Sequence, residues 1–375
     1  MAERGRHPLA ADLDHALERA RPAWEALRGA RIFVTGGTGF IGTWLLESFA
    51  WANARLSLDA RLVALTRDPA GFAARAPHLA GGPTIELLRG DVRRYDPPPG
   101  AFSHVIHGAT ASSAALNDER PIEMFDTIVD GTRRTLEVAE AAGAERVLLL
   151  SSGAVYGRQP PGVTHVPEEH LAGPDPTDPA SAYGEGKRTA ELLTTIWGGR
   201  THGVATIARC FAFVGPHLPL DAHFAIGNFI GDALHRRPIR LSGDGSPYRS
   251  YLYTADLAAW LWTILARGAP GRVYNVGSER GMPLWDTARC VHETLRAEGA
   301  QAPVRAREPD PAIPASRYVP STRRARDELG LAEWIGLEDA IRRTWLWHAA
   351  RRGRTPTPAR QRRGVRAGRS ATRPR

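Results

Sequence analysis

A short β-branched apolar run, Arg31-Ile-Phe-Val-Thr35, passes directly into Gly36-Gly-Thr-Gly-Phe-Ile-Gly42, and those glycines pass into an apolar helical stretch from Thr43 to Ala52. Few local patterns restrict a fold as tightly. Glycine at 36 allows a tight turn, glycine at 39 lets a ligand approach the backbone, and glycine at 42 lets the helix pack closely on the strand. The helix N-terminus then offers unpaired amides and partial positive charge. Gly36, Gly39, Phe40, Ile41 and Gly42 are therefore expected to hold the pyrophosphate of a dinucleotide.

The surrounding pattern agrees. Strands are predicted at Arg61–Leu65, Thr84–Leu88, His104–His107 and Arg146–Leu150, with a long helix over 120–142. The strands are continuous apolar runs rather than alternating ones, as strands covered on both faces should be. Strand and helix alternate, so the fold class is α/β: a Rossmann-type doubly wound parallel sheet. From about 180 the chain changes character. Helices are predicted at 181–197, 223–235, 256–267 and 283–298, and strands at Val204–Ala208, Ile239–Leu241, Ser250–Tyr253 and Arg272–Asn275. This half is expected to form a smaller C-terminal α/β substrate-binding cap. The organisation reads as a helical extension over 1–29, a main unit over 30–348 (dinucleotide-binding mainly to 180), and a disordered arginine-rich tail over 349–375.

Composition narrows the class. The two cysteines, Cys210 and Cys290, make neither a disulfide framework nor a metal-ligand spacing, and no metal is expected. No apolar window nears the roughly 20 residues a bilayer span needs, and the charged N-terminus has no signal-peptide pattern. A cytoplasmic, membrane-free protein is expected. Ten arginines and no acid in 350–375 account for the net charge of +9. The body is thus near neutral, and the tail reads as a solvated extension rather than a nucleic-acid-binding arm.

Cofactor choice falls on the end of the second strand. Arg67 stands where a 2′-phosphate would sit, which favours NADP, while Asp68 could still serve the ribose of NAD. Asp91 and Val92, after the third strand, are candidate adenine contacts, and Ala109 after the fourth lets the cofactor pass close to the sheet. Chemistry falls on the end of the fifth strand and the next helix. Ser151-Ser152 lie at a carboxyl edge. Tyr183 and Lys187 are one helical turn apart on one face. An ammonium beside a phenol lowers its pKa from about 10, so Tyr183 can exchange a hydroxyl proton while hydride moves. Lys187 can also hold the nicotinamide ribose, and Ser152 can orient the substrate oxygen.

These segments resemble the extended short-chain dehydrogenase/reductase family, of the NAD-dependent epimerase/dehydratase type that modifies nucleotide sugars. The carriers are Thr35–Gly42, Ser151-Ser-Gly-Ala-Val-Tyr-Gly157, Tyr183-Gly-Glu-Gly-Lys187, Arg209–Pro216 and Gly243–Asp256. The resemblance implies catalytic Ser152, Tyr183 and Lys187, a substrate diphosphate held by Arg249 and Asn228, NAD as cofactor, and a homodimer. In the family's 4,6-dehydratases the catalytic hydroxyl residue is followed by an acidic pair, and the decarboxylases keep a Glu at the second position. Here Gly153-Ala154 follow Ser152, which favours an epimerase acting through a transient keto-sugar. A dehydratase, a decarboxylase and an NADPH-dependent keto-sugar reductase are the alternatives, and a non-catalytic cofactor sensor is a different class, disfavoured by the intact Tyr183 and Lys187. Ala212, where the family often has Asn, suggests an unusual sugar. His104 and His107 read as structural, Trp260 and Trp262 as packing in the cap, and His217, Asp221 and His223 as cap-loop groups open to a catalytic role.

Overall fold

The computed structural model describes residues 7–110, 114–222, 224–241, 243–300, 302–305 and 315–352. Among these the strands are, in chain order, β1 (Arg31–Thr35), β2 (Arg61–Thr66), β3 (Ile85–Arg89), β4 (His104–His107), β5 (Arg146–Ser152), β6 (Val204–Cys210), β7 (Phe213–Val214), β8 (Ile239–Arg240), β9 (Tyr248–Arg249), β10 (Leu252–Tyr253), β11 (Val273–Val276), β12 (Met282–Pro283), β13 (Val304–Arg305) and β14 (Arg317–Tyr318). The helices are α1 (Ala10–Arg19), α2 (Arg21–Ala26), α3 (Phe40–Leu56), α4 (Pro69–Arg75), α5 (Pro77–Ala80), α6 (Ala114–Glu119), α7 (Pro121–Ala141), α8 (Ala182–Thr201), α9 (Ala225–Leu234), α10 (Thr254–Arg267), α11 (Leu284–Ala297), α12 (Arg323–Leu329) and α13 (Leu337–Arg352).

Seven strands form one parallel sheet in the order β11-β6-β5-β4-β1-β2-β3. The order reverses between β1 and β4, and such a switch point opens a crevice at the carboxyl ends of the strands. Both faces are covered. Ile32 and Val34 of β1 join a core with α2, α3 and α10, whereas Phe33 points into a second core with α7 and α8. That is why β1, β2 and β5 are apolar at successive positions. Helix α10 is buried from Thr254 through Leu265, and a helix apolar on all sides is one enclosed on all sides.

Several expectations are corrected. The strand foreseen at Arg272–Asn275 does not belong to the cap; as β11 it pairs with β6 at the edge of the main sheet. Trp260 and Trp262 likewise leave the cap. They lie in the main core, where Trp262 tilts against Trp24 and donates to Ser48 Oγ at 2.9 Å. The N-terminal helix is two helices, parted at Ala20 with Pro22 in the first turn of α2. Its residues Leu9, Leu13 and Ala16 pack with residues of α9, α11 and α13. Helix α13 runs to Arg352, past the expected start of the tail, and residues 353–375 lie outside the described residues. The cap consists of α9 and α11 with two small sheets, β8–β13 and β12–β9–β14. No described helix is long and apolar enough to cross a membrane.

Candidate active site

The glycine turn has the shape its sequence demands. Gly36 takes φ +76, and a Cβ there would stand 2.6 Å from the Gly108 carbonyl and 2.7 Å from Ala109 N. The loops after β1 and β4 therefore meet backbone to backbone at the switch point, and only glycine fits. A Cβ on Gly42 would collide with Gly36 O, so the third glycine seats α3 on the turn. A Cβ on exposed Gly39 would meet only Gly36 O, at 3.5 Å, which leaves that side of the turn open for a diphosphate. Phe40 and Ile41 form the first turn of α3, and Ala109 N donates to Thr35 Oγ1 at 3.3 Å.

At the adenosine end, Arg67 is exposed beyond β2. Asp68 is occupied: its carboxylate accepts from Gly71 N at 2.9 Å and caps α4. Asp91 is held by Arg93 in a two-pronged pair, with contacts of 3.0 and 2.9 Å. That hydrogen bonding draws its carboxyl down to about 2 despite partial burial, so it is ionised at neutral pH. Val92 is buried against Gly131 of α7. Arg75, which the sequence reading passed over, donates to Thr38 O at 3.0 Å and brings a second cation onto the glycine turn.

The catalytic candidates converge at the end of β5. Ser152 caps a short 3-10 turn, accepting from Ala154 N at 3.2 Å, and its hydroxyl lies near enough to the Tyr183 phenol to favour the phenolate. Tyr183 N donates to Asn117 Oδ1 at 3.0 Å, and Asn117 Nδ2 donates to Ala180 O at 2.9 Å, so α6 holds the start of α8. Lys187 is 3% exposed, donates from Nζ to Leu150 O at 2.8 Å, and lies 6.0 Å from the Tyr183 ring centroid. Behind them, Ser151 Oγ donates to Glu191 at 2.6 Å, and Arg209 binds the same carboxylate at 2.7–3.2 Å, locking β5, β6 and α8 together.

The electrostatics differ from the sequence expectation. In the protein alone, burial raises the Tyr183 phenol above its ordinary value, with the Ser152 hydrogen bond opposing. Burial also pulls Lys187 down to about 8. Burial dominates at both groups: it raises the phenol and lowers the ammonium, so in each it favours the neutral form.

The structure adds a second phenol. Tyr318 Oη lies 3.4 Å from both Ser152 Oγ and Cys210 O. It comes from β14, whose parallel pairing sets Tyr318 opposite Arg249 of β9, and the Arg249 guanidinium stands 5.9 Å from the Tyr318 ring centroid. Arg249 is thus carried toward Ser152, while half-buried Asn228 sits on α9. A Cβ on Gly153 would meet the Phe211 ring at 2.7 Å and Tyr318 Oη at 2.9 Å.

Other candidates fall elsewhere. His107 is buried between Thr35 (2.7 Å) and Thr132 (2.9 Å), which supports a structural role. His217 faces Glu47 and the Trp347 ring rather than the serine and phenols. Asp221 is exposed, and His223 lies outside the described residues.

Comparison with known proteins agrees with this geometry. The model of the NAD dependent epimerase/dehydratase family matches residues 32–277. UDP-glucuronic acid decarboxylase 2 of Arabidopsis thaliana is 30% identical over 270 residues, covering 72% of this chain and 58% of the relative. The chain therefore spans under three fifths of that relative's length. The structure of a dTDP-glucose 4,6-dehydratase from Streptomyces venezuelae, solved with NAD, is 25% identical, with a TM-score of 0.73 over 86% of this chain and 98% of that one. The UDP-glucose 4-epimerase of Thermotoga maritima, 19% identical, shares the fold with a TM-score of 0.71 over 85% of this chain and 99% of that one.

Proposed function

The chain belongs to the NAD-dependent epimerase/dehydratase family, and from that premise we propose that it is a nucleotide-sugar epimerase working through a transient keto-sugar. One observation carries the choice of reaction. Dehydratases of this type carry an acidic pair just after the catalytic hydroxyl residue, and decarboxylases a Glu at the second of those positions, here Ala154. Here position 153 has no room for one, because Phe211 and Tyr318 fill the space a side chain would take, and Ala154 supplies only a methyl group. Epimerisation needs no such acid: a sugar hydroxyl is oxidised, the ketone turns over, and hydride returns to the other face.

The glycine turn, with Ala109 beside it, would hold a nicotinamide dinucleotide, which would supply the hydride acceptor and donor. The protein's residues do the rest. Tyr183 takes the hydroxyl proton and later returns it. Ser152 donates to the same oxygen and fixes its direction. Lys187, still largely an ammonium at neutral pH, holds the ribose and favours the phenolate once cofactor charge arrives. Arg249 suits the diphosphate through its planar fork, and Asn228 is the second candidate contact. Arg67, with Arg75 nearby, favours NADP over NAD. A keto-sugar reductase is the reading this cofactor preference supports next, and the similarity to decarboxylases keeps carbon dioxide release in view. Exposed Ile122 on α7, with Leu192 and Ile196 one turn apart on α8, favours a homodimer joined through these helices.

Mass spectrometry and proton NMR of a panel of nucleotide sugars incubated with the purified full chain test the reading. An isomer of unchanged mass is expected. Loss of water, loss of carbon dioxide, or a gain of two hydrogens with NADPH would each replace the epimerase with the corresponding enzyme.

A further inference from the structure

Glu47 lies on α3, two turns beyond the glycine turn, and is only 3% exposed, with Trp44, Leu46 and Phe49 of the same helix also buried. A carboxylate so placed is costly unless something binds it. What surrounds it is imidazole. His78 Nε2 lies 2.9 and 3.0 Å from its two oxygens, His7 Nε2 lies 3.4 Å away, and His217 Nε2 lies 3.8 Å away. The ligand atoms of His7, Glu47 and His78 all fall within 4.8 Å of one another. His217 Nε2 is buried with no hydrogen-bond partner among the described residues. Its backbone sits at φ +70, a left-handed conformation that histidine adopts infrequently and that is often kept for function.

We propose that Glu47, His7 and His78, with His217 as fourth ligand, bind a divalent transition-metal ion of zinc-like chemistry. Three imidazoles and one carboxylate suit zinc and its neighbours and disfavour magnesium and calcium, which take oxygen. A tetrahedral ion with ligands about 2.0–2.1 Å away has ligand–ligand edges of about 3.3 Å. The His78 and His7 contacts to Glu47, from 2.9 to 3.4 Å, lie near that edge, whereas His217, outside the set whose ligand atoms lie within 4.8 Å of one another, would have to swing inward to complete the tetrahedron. Four protein ligands leave no open position, so the role is structural. The ligands come from the segment before α1, from α3, from α5 and from the loop after β7. The ion would therefore tie the N-terminal helices to the cofactor helix and to the chain entering the cap.

Two features oppose binding and shape the test. His7 Nδ1 accepts from Leu9 N at 3.2 Å. Ligation through Nε2 puts the ring's one proton on Nδ1, so loading exchanges that contact for the metal bond. Arg351, which lies over the Trp347 ring, also acts electrostatically on His78 and His217, and a nearby cation weakens a dication's hold.

The full chain, stripped with chelator and dialysed, is given one equivalent of zinc chloride, desalted and assayed for zinc by atomic emission, with thermal melts alongside. One zinc per chain and a higher Tm are expected. His78→Ala, at a half-exposed site where folding should survive, and Glu47→Gln are each expected to weaken zinc binding by more than about tenfold, with no Tm response. His202→Ala, at an exposed histidine elsewhere, should bind as the parent does. If Glu47→Gln fails to fold, His7→Ala replaces it. Cobalt substituted for zinc should give the strong visible bands of a four-coordinate site. Absence of retained zinc, equal retention by the His78 and Glu47 variants, or the weak bands of octahedral cobalt would overturn the assignment.

Discussion

Replacing Lys187 by Met is expected to make the protein more stable at neutral pH while ending its activity. Lys187 is buried, and its ammonium is drawn from an ordinary 10.5 to about 8, chiefly by desolvation. At 1.36 kcal/mol per pKa unit this is about 3 kcal/mol of unfavourable free energy below pH 8. The lysine's folded pKa lies below its unfolded one, so between pH 8 and 10.5 the unfolded chain binds more protons. Wild-type stability therefore rises with pH across that window, as the penalty is relieved. Methionine fills the same volume without titrating. It does leave Leu150 O without its 2.8 Å partner, at a cost of about 1–3 kcal/mol. The net expectation is a gain of about 1 kcal/mol at pH 7 that disappears or reverses by pH 10. Urea unfolding at the two pH values reads it directly, and a turnover assay on the same samples shows the loss of activity. A variant less stable than wild type at pH 7 by the same margin at both pH values would refute the claim that burial strains this ammonium.

Tyr183→Phe should lower turnover by about 10²–10⁴-fold with cofactor affinity retained, as measured by isomer formation and cofactor titration; retained turnover, or lost cofactor, contradicts the assigned role. Arg67→Ala should weaken NADP(H) by roughly tenfold through loss of a charge-assisted contact and leave NAD(H) nearly unchanged; equal losses would remove the inference. Gly153→Ala should cost about 1–3 kcal/mol from overpacking against Phe211 and Tyr318, visible in urea unfolding; a neutral result would mean that those rings yield and that an acid could be housed there.

What the sequence made legible is what it encodes at short range. The glycine turn, the strand-end serines and the Tyr183–Lys187 spacing each lie within a few residues, and the strands they follow are marked by burial on both faces. The first six strands of the sheet end within two residues of their expected places. Arg272–Asn275 was also visible as a strand, but its membership in the main sheet depends on pairing with β6, a choice its own residues do not express. Tyr318 reaches Ser152 only because β14 pairs with β9, so its one local signal was a short apolar run ahead of α12. The same limit hid the His7, Glu47, His78 and His217 cluster, whose members belong to four separate segments. It also inverted the expected electrostatics: spacing places an ammonium near a phenol, but how dry that neighbourhood is depends on α6, α7 and the cap. In the proposed reading the glycine turn and the Tyr183–Lys187 pair set the class of chemistry, both on the cofactor side of the crevice. The proposed choice of reaction rests on the facing side, where Phe211 and Tyr318 occupy the space that a side chain at position 153 would need.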